Sequence, residues 1–315
     1  MYYVGIDLGG TNIAVGIVDE NYKIIKKGSV PTKADRPADE IIKDMGALCT
    51  SLVEEAGLKL SDIAYAGIAT PGTANRDLGV VEYANNLPFR DFALADTLKK
   101  YFPVGKVYIE NDANAAAKGE AVAGAAKGCD TAVFITLGTG VGGGIIIDKK
   151  VYSGFNFAGA ELGHIVIEYE GRQCTCGRKG CWEAYSSATG LIAMTREKML
   201  ECKETVMHEM CPNIDEISGR TAFAAMKQGD KAGQEVVDMY IGYLACGLSN
   251  IINIFQPEIL CVGGGICNEG DYLMKPLIEI VEKEQYTRNS PKKTQIKVAS
   301  LGNDAGIIGA AVLGL

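Results

Sequence analysis

The chain opens with a pattern that it partly repeats about 130 residues later, and this echo constrains the fold more than any other feature. Tyr2 to Asp7 and Ile13 to Asp19 read as two strands around the turn Leu8-Gly9-Gly10-Thr11-Asn12. Thr131 to Leu137 is again an apolar strand, Gly138 to Gly144 is glycine-rich, and Ile145 to Asp148 reads as a second strand. Leu8-Gly9 and Ile17-Val18-Asp19 superpose on Leu137-Gly138 and Ile146-Ile147-Asp148. An internal repeat of this kind predicts two related domains, each opening with strand, glycine turn, strand.

The remaining elements read as alternating helices and strands. Ala38 to Ala56 is an amphipathic helix with Ile41, Ile42, Met45, Leu48 and Leu52 on one face. Ile63 to Ala69 is a strand ending at Pro71-Gly72, Ala93 to Tyr101 a helix and Lys106 to Glu110 a strand. Asn111-Asp112 opens an alanine-rich helix reaching about Ala126. Ala232 to Phe255 is a long helix, Glu258 to Val262 a strand leaving through Gly263-Gly264-Gly265, and Ile296 to Ala299 a last strand. Asn303-Asp304 can cap a final helix from Ala305.

Gly138-Thr139-Gly140-Val141-Gly142-Gly143 satisfies G-x-G-x-x-G, but a dinucleotide fold needs a helix straight after it. Ile145-Ile146-Ile147 follows instead, so a strand is expected, and no Walker loop occurs. Either glycine loop alone reads as a plain hairpin turn. Two such loops at equivalent places in two repeats point to backbone N–H groups gathered on an anion, hence a nucleotide cleft between domains.

His164, Cys174, Cys176 and Cys181 form H-x9-C-x-C-x4-C, and Gly171, Gly177 and Gly180 keep the segment loop-like. Three thiolates and one imidazole suit a closed, structural zinc site; the alternative is three buried thiols beside an unrelated histidine. The other seven of ten cysteines are scattered and read as small buried side chains. With only two histidines, His164 and His208, a Ser-His-Asp or Cys-His hydrolase has little to work with. The net charge of -8 opposes a general nucleic-acid binder. No signal peptide is visible at the start, and the apolar tail from Ala305 is too short to span a bilayer, so a cytoplasmic protein without membrane contact is expected. Asp112 follows a strand and opens a helix, where a cap is the ordinary role and a general base the sharper one.

Asp7-Leu8-Gly9-Gly10-Thr11 and Leu137-Gly138-Thr139-Gly140-Val141-Gly142 resemble the two phosphate motifs of the ROK family of sugar kinases and repressors. Glu161-Leu162-Gly163-His164 with the cysteines, Glu110-Asn111-Asp112-Ala113-Asn114, and the closing Ala305-Gly306-Ile307-Ile308-Gly309-Ala310-Ala311 extend the resemblance over essentially the whole chain. It implies an α/β, two-domain actin-like sugar-kinase ATPase fold built from duplicated ribonuclease-H-like domains. Residues 1–111 with 303–315 would form the small domain, and 112–302 the large one, carrying the zinc loop 161–183.

The implied activity is ATP-dependent phosphorylation of a hexose at its 6-hydroxyl, with glucose the first choice. N-acetylmannosamine, N-acetylglucosamine and fructose are alternatives, and polyphosphate is a conceivable donor. The resemblance makes Asp112 the base and has Gly72, Asn85, Asn111, Glu161, His164 and Glu183 bind the sugar with it. Asp7, Gly9, Gly10, Thr11, Asn12, Gly138, Thr139, Gly140, Gly263, Gly264 and Gly265 would hold nucleotide. Asp7 would lie near Mg²⁺, and zinc would shape the sugar loop. It also implies a homodimer. A sugar-sensing regulator is the rival from another class; repressors of the family carry a helix-turn-helix ahead of this region, and none is expected before the first strand here.

Overall fold

The computed structural model describes residues 1–315. Thirteen strands run in chain order: β1 (Tyr2–Leu8), β2 (Asn12–Asp19), β3 (Ile24–Pro31), β4 (Ile63–Thr70), β5 (Thr73–Asn75), β6 (Val80–Tyr83), β7 (Arg90–Phe92), β8 (Val107–Asn111), β9 (Ala132–Leu137), β10 (Val141–Ile147), β11 (Lys150–Tyr152), β12 (Ile259–Gly263) and β13 (Gln295–Val298). The α-helices are α1 (Ala38–Glu55), α2 (Leu94–Tyr101), α3 (Asp112–Ala123), α4 (Glu183–Ser186), α5 (Ala188–Glu201), α6 (Met207–Met210), α7 (Thr221–Lys227), α8 (Lys231–Phe255), α9 (Asp271–Glu284) and α10 (Ala305–Ala311).

The repeat is visible as topology. One sheet has the order β3-β2-β1-β4-β8, the other β11-β10-β9-β12-β13. In the first, β1 pairs antiparallel with β2 and parallel with β4. In the second, β10 pairs antiparallel with β11 and β12 parallel with β13. A third sheet, β5-β6-β7, is a short antiparallel insertion absent from the sequence reading.

Packing divides the chain into two compact units: residues 1–134, 144–160 and 299–315, and residues 135–143 and 161–298. The resemblance instead implies boundaries at 111 and 303. In the first unit α10 lies so close to its neighbours that side chains are excluded. A Cβ at Gly5 would stand 2.0 Å from the Ile307 carbonyl oxygen, one at Gly67 1.9 Å from that of Ala310, and one at Gly309 1.7 Å from that of Ala115. The apolar face of α1 (Ile41, Ile42, Met45, Leu52) joins Val4, Ile6, Val15 and Ile17 in one core cluster. In the second unit α8 buries Val237, Tyr240, Leu244 and Leu248.

The glycine-rich stretch differs from the expectation of a turn lasting to Gly144. β10 begins at Val141, so Gly142, Gly143 and Gly144 lie within the strand. Gly143 and Gly144 are glycines because neighbours press on the strand: a Cβ at Gly143 would stand 2.8 Å from the Leu162 side chain, and one at Gly144 2.6 Å from the Ala113 carbonyl oxygen.

Candidate active site

In the first unit the turn after β1 is a tight hairpin, closed by the Gly9 N–H donating to the Asn12 carbonyl at 2.9 Å. Thr32 braces it twice, with its hydroxyl on the Gly9 carbonyl at 2.7 Å and its N–H on the Thr11 carbonyl at 2.8 Å. A Cβ at Gly10 would stand 2.9 Å from the Asn86 amide nitrogen, so Gly10 leaves room for that side chain. Thr11 and Asn12 are exposed beside it.

Asp112 is not the helix cap. Asn111 is the N-cap of α3, its side-chain oxygen accepting from the N–H groups of Ala113 and Asn114 at 3.0 and 3.2 Å. Its amide nitrogen donates to the Gly72 carbonyl at 3.3 Å, which joins two of the expected sugar-binding residues. Gly72 has φ +87° and its Cβ would fall 2.0 Å from the Tyr83 carbonyl oxygen, so only glycine fits. Asn85 is exposed in the turn between β6 and β7. Asp112 is the first residue of α3 and accepts from the Ala113 N–H at 2.8 Å, where the helix end favours its anion.

Asp7 lies close enough to Asp112 to feel its charge. Burial, then that charge, push the Asp7 carboxyl up to about 6. Because the folded value is raised, Asp7 contributes stability that is present below the unfolded value near 4 and lost as pH rises through about 6. Without divalent cations, Asp7→Asn should therefore gain on wild type between pH 4 and 7, by about 2–3 kcal/mol at the upper end. Melting temperatures of the two proteins across that range check this; parallel curves would refute it. Mg²⁺ at the ionised carboxylate should narrow the gap.

In the second unit the loop after β9 is held from several sides. The Gly138 N–H donates to the Gly140 carbonyl at 3.0 Å, the Ala188 N–H to the Gly138 carbonyl at 2.8 Å, and the Thr189 hydroxyl to the Thr139 carbonyl at 2.8 Å. Gly264, at φ +98°, would put a Cβ 2.2 Å from the Leu137 carbonyl oxygen, which brings Gly263-Gly264-Gly265 against the same loop. Ser187 caps α5 through the Gly190 N–H. The sequence reading missed Ser187 and Thr189, although a serine ahead of a helical run is a cap signal.

Glu183 has a contact that its expected sugar role does not include. One carboxylate oxygen accepts from the Val141 N–H at 3.0 Å, and the other lies 3.4 Å from the Thr175 hydroxyl and 3.7 Å from the Cys174 sulfur. It links the glycine loop to the cysteine loop. Gly163 of Glu161-Leu162-Gly163-His164 packs on the same strand start; its Cβ would stand 2.1 Å from the Val141 carbonyl oxygen. Glu161 is exposed.

The ligand atoms of His164, Cys174, Cys176 and Cys181 lie within 4.8 Å of one another. The Cys176 and Cys181 sulfurs are 3.6 Å apart, and His164 Nδ1 is 3.7 Å from the Cys174 sulfur. Zinc–sulfur bonds of about 2.3 Å give a tetrahedral edge of about 3.8 Å, so the cluster fits zinc. Nδ1 is the nitrogen turned to the sulfurs, which leaves Nε2 for another partner. Gly177 and Gly180, both at positive φ, make the turn, and a Cβ at Gly180 would overlap the Glu168 carbonyl oxygen at 1.7 Å.

The ROK family model matches residues 3–315. The chain belongs to the ROK family. Glucokinase of Thermotoga maritima is 37% identical over 98% of the chain and 95% of that protein. The crystal structure of a ROK family glucokinase from Streptomyces griseus in complex with glucose and AMPPNP superposes with a TM-score of 0.83 at 32% identity, covering 99% of both chains. The xylose repressor of Bacillus subtilis is 28% identical over 98% of the chain and 75% of the repressor. This ROK chain has the actin-like sugar-kinase fold. No helix in it is long and apolar enough to cross a membrane.

Proposed function

We propose that this ROK protein transfers the γ-phosphoryl group of MgATP to the 6-hydroxyl of glucose. The observation that carries the reading is the division of labour at the start of α3, where Asn111 caps the helix and Asp112 is left as a carboxylate beside Asp7. The likeness to glucokinases supports it. Asp112 accepts the hydroxyl proton while the sugar oxygen bonds to the γ-phosphorus and the bond to the ADP oxygen breaks. Gly72, Asn85, Asn111, Glu161, His164 and Glu183 orient the sugar, so that positioning supplies much of the acceleration. In the turns Gly9–Asn12 and Gly138–Gly140, N–H groups other than those of Gly9 and Gly138, which close the turns, hold phosphate oxygens, Gly263–Gly265 borders the adenosine, and Asp7 lies near the Mg²⁺ ligands. Mg²⁺ neutralises phosphate charge when bound. His164, Cys174, Cys176 and Cys181 would hold zinc as a structural tie, four protein ligands being the set of a closed site. We further propose a cytoplasmic homodimer that binds no nucleic acid.

ADP release from ATP, measured with and without a panel of glucose, fructose, N-acetylglucosamine and N-acetylmannosamine, tests the reading. Glucose should give the highest kcat/KM; ADP formation that ignores every sugar would sink it, and a parallel assay with polyphosphate identifies the donor. The repressor likeness supports a second reading, sugar binding without turnover, which calorimetric binding of glucose together with no sugar-dependent ADP formation would reveal.

The glycine loop offers a sharp test. Gly140→Val is an impure one, because a Cβ there would stand 2.3 Å from a Glu183 carboxylate oxygen. Gly138 has open space around its Cβ position. Gly138→Val should fold normally, raise the KM for ATP about tenfold or more by blocking phosphate approach, and leave glucose affinity in place. An unchanged KM for ATP would reduce the loop to a turn.

A further inference from the structure

We propose that Arg76 is a positioning residue that holds together three segments of the sugar site; the inference rests on the kinase reading above. Arg76 follows β5, four residues after Gly72. One guanidinium nitrogen donates to Glu110 at 3.2 Å, and the other donates to the Ser153 hydroxyl at 3.0 Å. Its carbon lies 5.6 Å from the centre of the Phe157 ring. Each partner is itself anchored. Glu110, 2% exposed, receives the Asn111 N–H at 3.0 Å and the Asn114 amide at 3.2 Å through its second oxygen. It therefore grips the residues on either side of Asp112. Ser153 is 1% exposed, and its carbonyl accepts from the Gly159 N–H at 2.8 Å, which closes the root of the 153–159 loop. That loop leads along the chain into Glu161.

Arg76 is the only group in this set that touches both anchors, and its planar fork reaches two separated acceptors through two different nitrogens, whereas the three N–H donors of a lysine all sit on one nitrogen. A buried ion pair by itself is weak evidence for stability. A cation shared between the segment ahead of the base and the segment ahead of Glu161 is instead a device for register. The two arms should separate kinetically: the Glu110 arm through the placement of Asp112 in kcat, and the Ser153 arm through the sugar loop in the KM for glucose.

The test is steady-state kinetics of Arg76→Ala, Arg76→Lys, Ser153→Ala and the Arg76→Ala/Ser153→Ala double variant, with glucose binding followed calorimetrically in the same proteins. Arg76→Ala should lower kcat and raise the KM for glucose, each about tenfold or more, with the KM for ATP within about twofold. Arg76→Lys should restore kcat but not KM. Ser153→Ala should raise KM alone, and the double variant should be no worse in KM than Arg76→Ala, since both remove one arm. Wild-type kcat and KM in Arg76→Ala, or additive effects in the double variant, would overturn the inference. Ser153→Ala keeps the ion pair and decides the matter if Arg76→Ala does not fold: an unchanged KM refutes the Ser153 arm. A wild type that binds glucose without turnover, and binds it more weakly as Arg76→Ala, would sink the kinase reading and leave Arg76 its positioning role.

Discussion

Asp112→Asn protein should fold, melt near the wild-type temperature and bind glucose, yet turn over roughly 10²–10⁴-fold more slowly. The structure makes this a cleaner test than the sequence did. Had Asp112 been the N-cap, Asn would replace it with little loss. The cap is Asn111, so the exchange at 112 leaves both capping bonds intact. What disappears is a carboxylate able to take a proton. The exchange has a second signature: removing the Asp112 charge takes away one of the two causes that raise Asp7, so the Asp7 titration should move down from about 6. Retention of most of kcat in a folded Asp112→Asn protein would remove Asp112 from the chemistry.

Loss of zinc should be the other large effect. Metal analysis should find about one zinc per chain. Chelation or Cys176→Ser should raise the KM for glucose about tenfold or more. Affinity for ATP should suffer less, although Glu183 contacts both the cysteine loop and the Val141 N–H and so carries some of the disturbance across. Besides the cluster, the loop from 164 to 181 is held by the bridges Val166–Cys181 and Gln173–Lys179, by Arg172 paired with Glu197 and donating its N–H to the Tyr185 hydroxyl at 2.7 Å, and by Arg178 on the His164 carbonyl at 3.1 Å. Metal binding should add to these ties and fix the loop's shape, so its loss should loosen the segment rather than unfold the chain. A metal-free protein with unaltered glucose kinetics would show that the thiols pack without a metal.

Much of this was legible in sequence, for identifiable reasons. Long periodic elements such as α1 and α8 announce themselves because burial on one face demands regular spacing. The cysteine loop is legible because its ligands are close in the chain. Gly143 and Gly144 misled, since a glycine excused from carrying a side chain by a crowding neighbour looks the same as one that makes a turn; only the positions of Leu162 and Ala113 tell them apart. Asn111 and Asp112 are both good caps, and adjacent residues cannot be ranked by type alone. The Val141 contact of Glu183 and the bridge from Arg76 to Glu110 and Ser153 span 34 to 77 residues and leave no local signal.

The way α10 nests against Gly5, Gly67 and Ala115 bears on how the chain acquires its shape. The first unit is discontinuous, and its closing segment, 299–315, is made only after 161–298. During synthesis β1, β4 and α3 must wait with the groove for that helix open, while nearly every residue of the other unit is already present. Contacts between the earliest strands and so late a helix are of the highest sequence separation the chain allows, the kind that slows the final step of folding. The waiting intermediate should expose Ile307's counterparts Tyr3 and Tyr65 to solvent and to chaperones. Supplying the closing helix early, by circular permutation ahead of Tyr2, should shorten that wait.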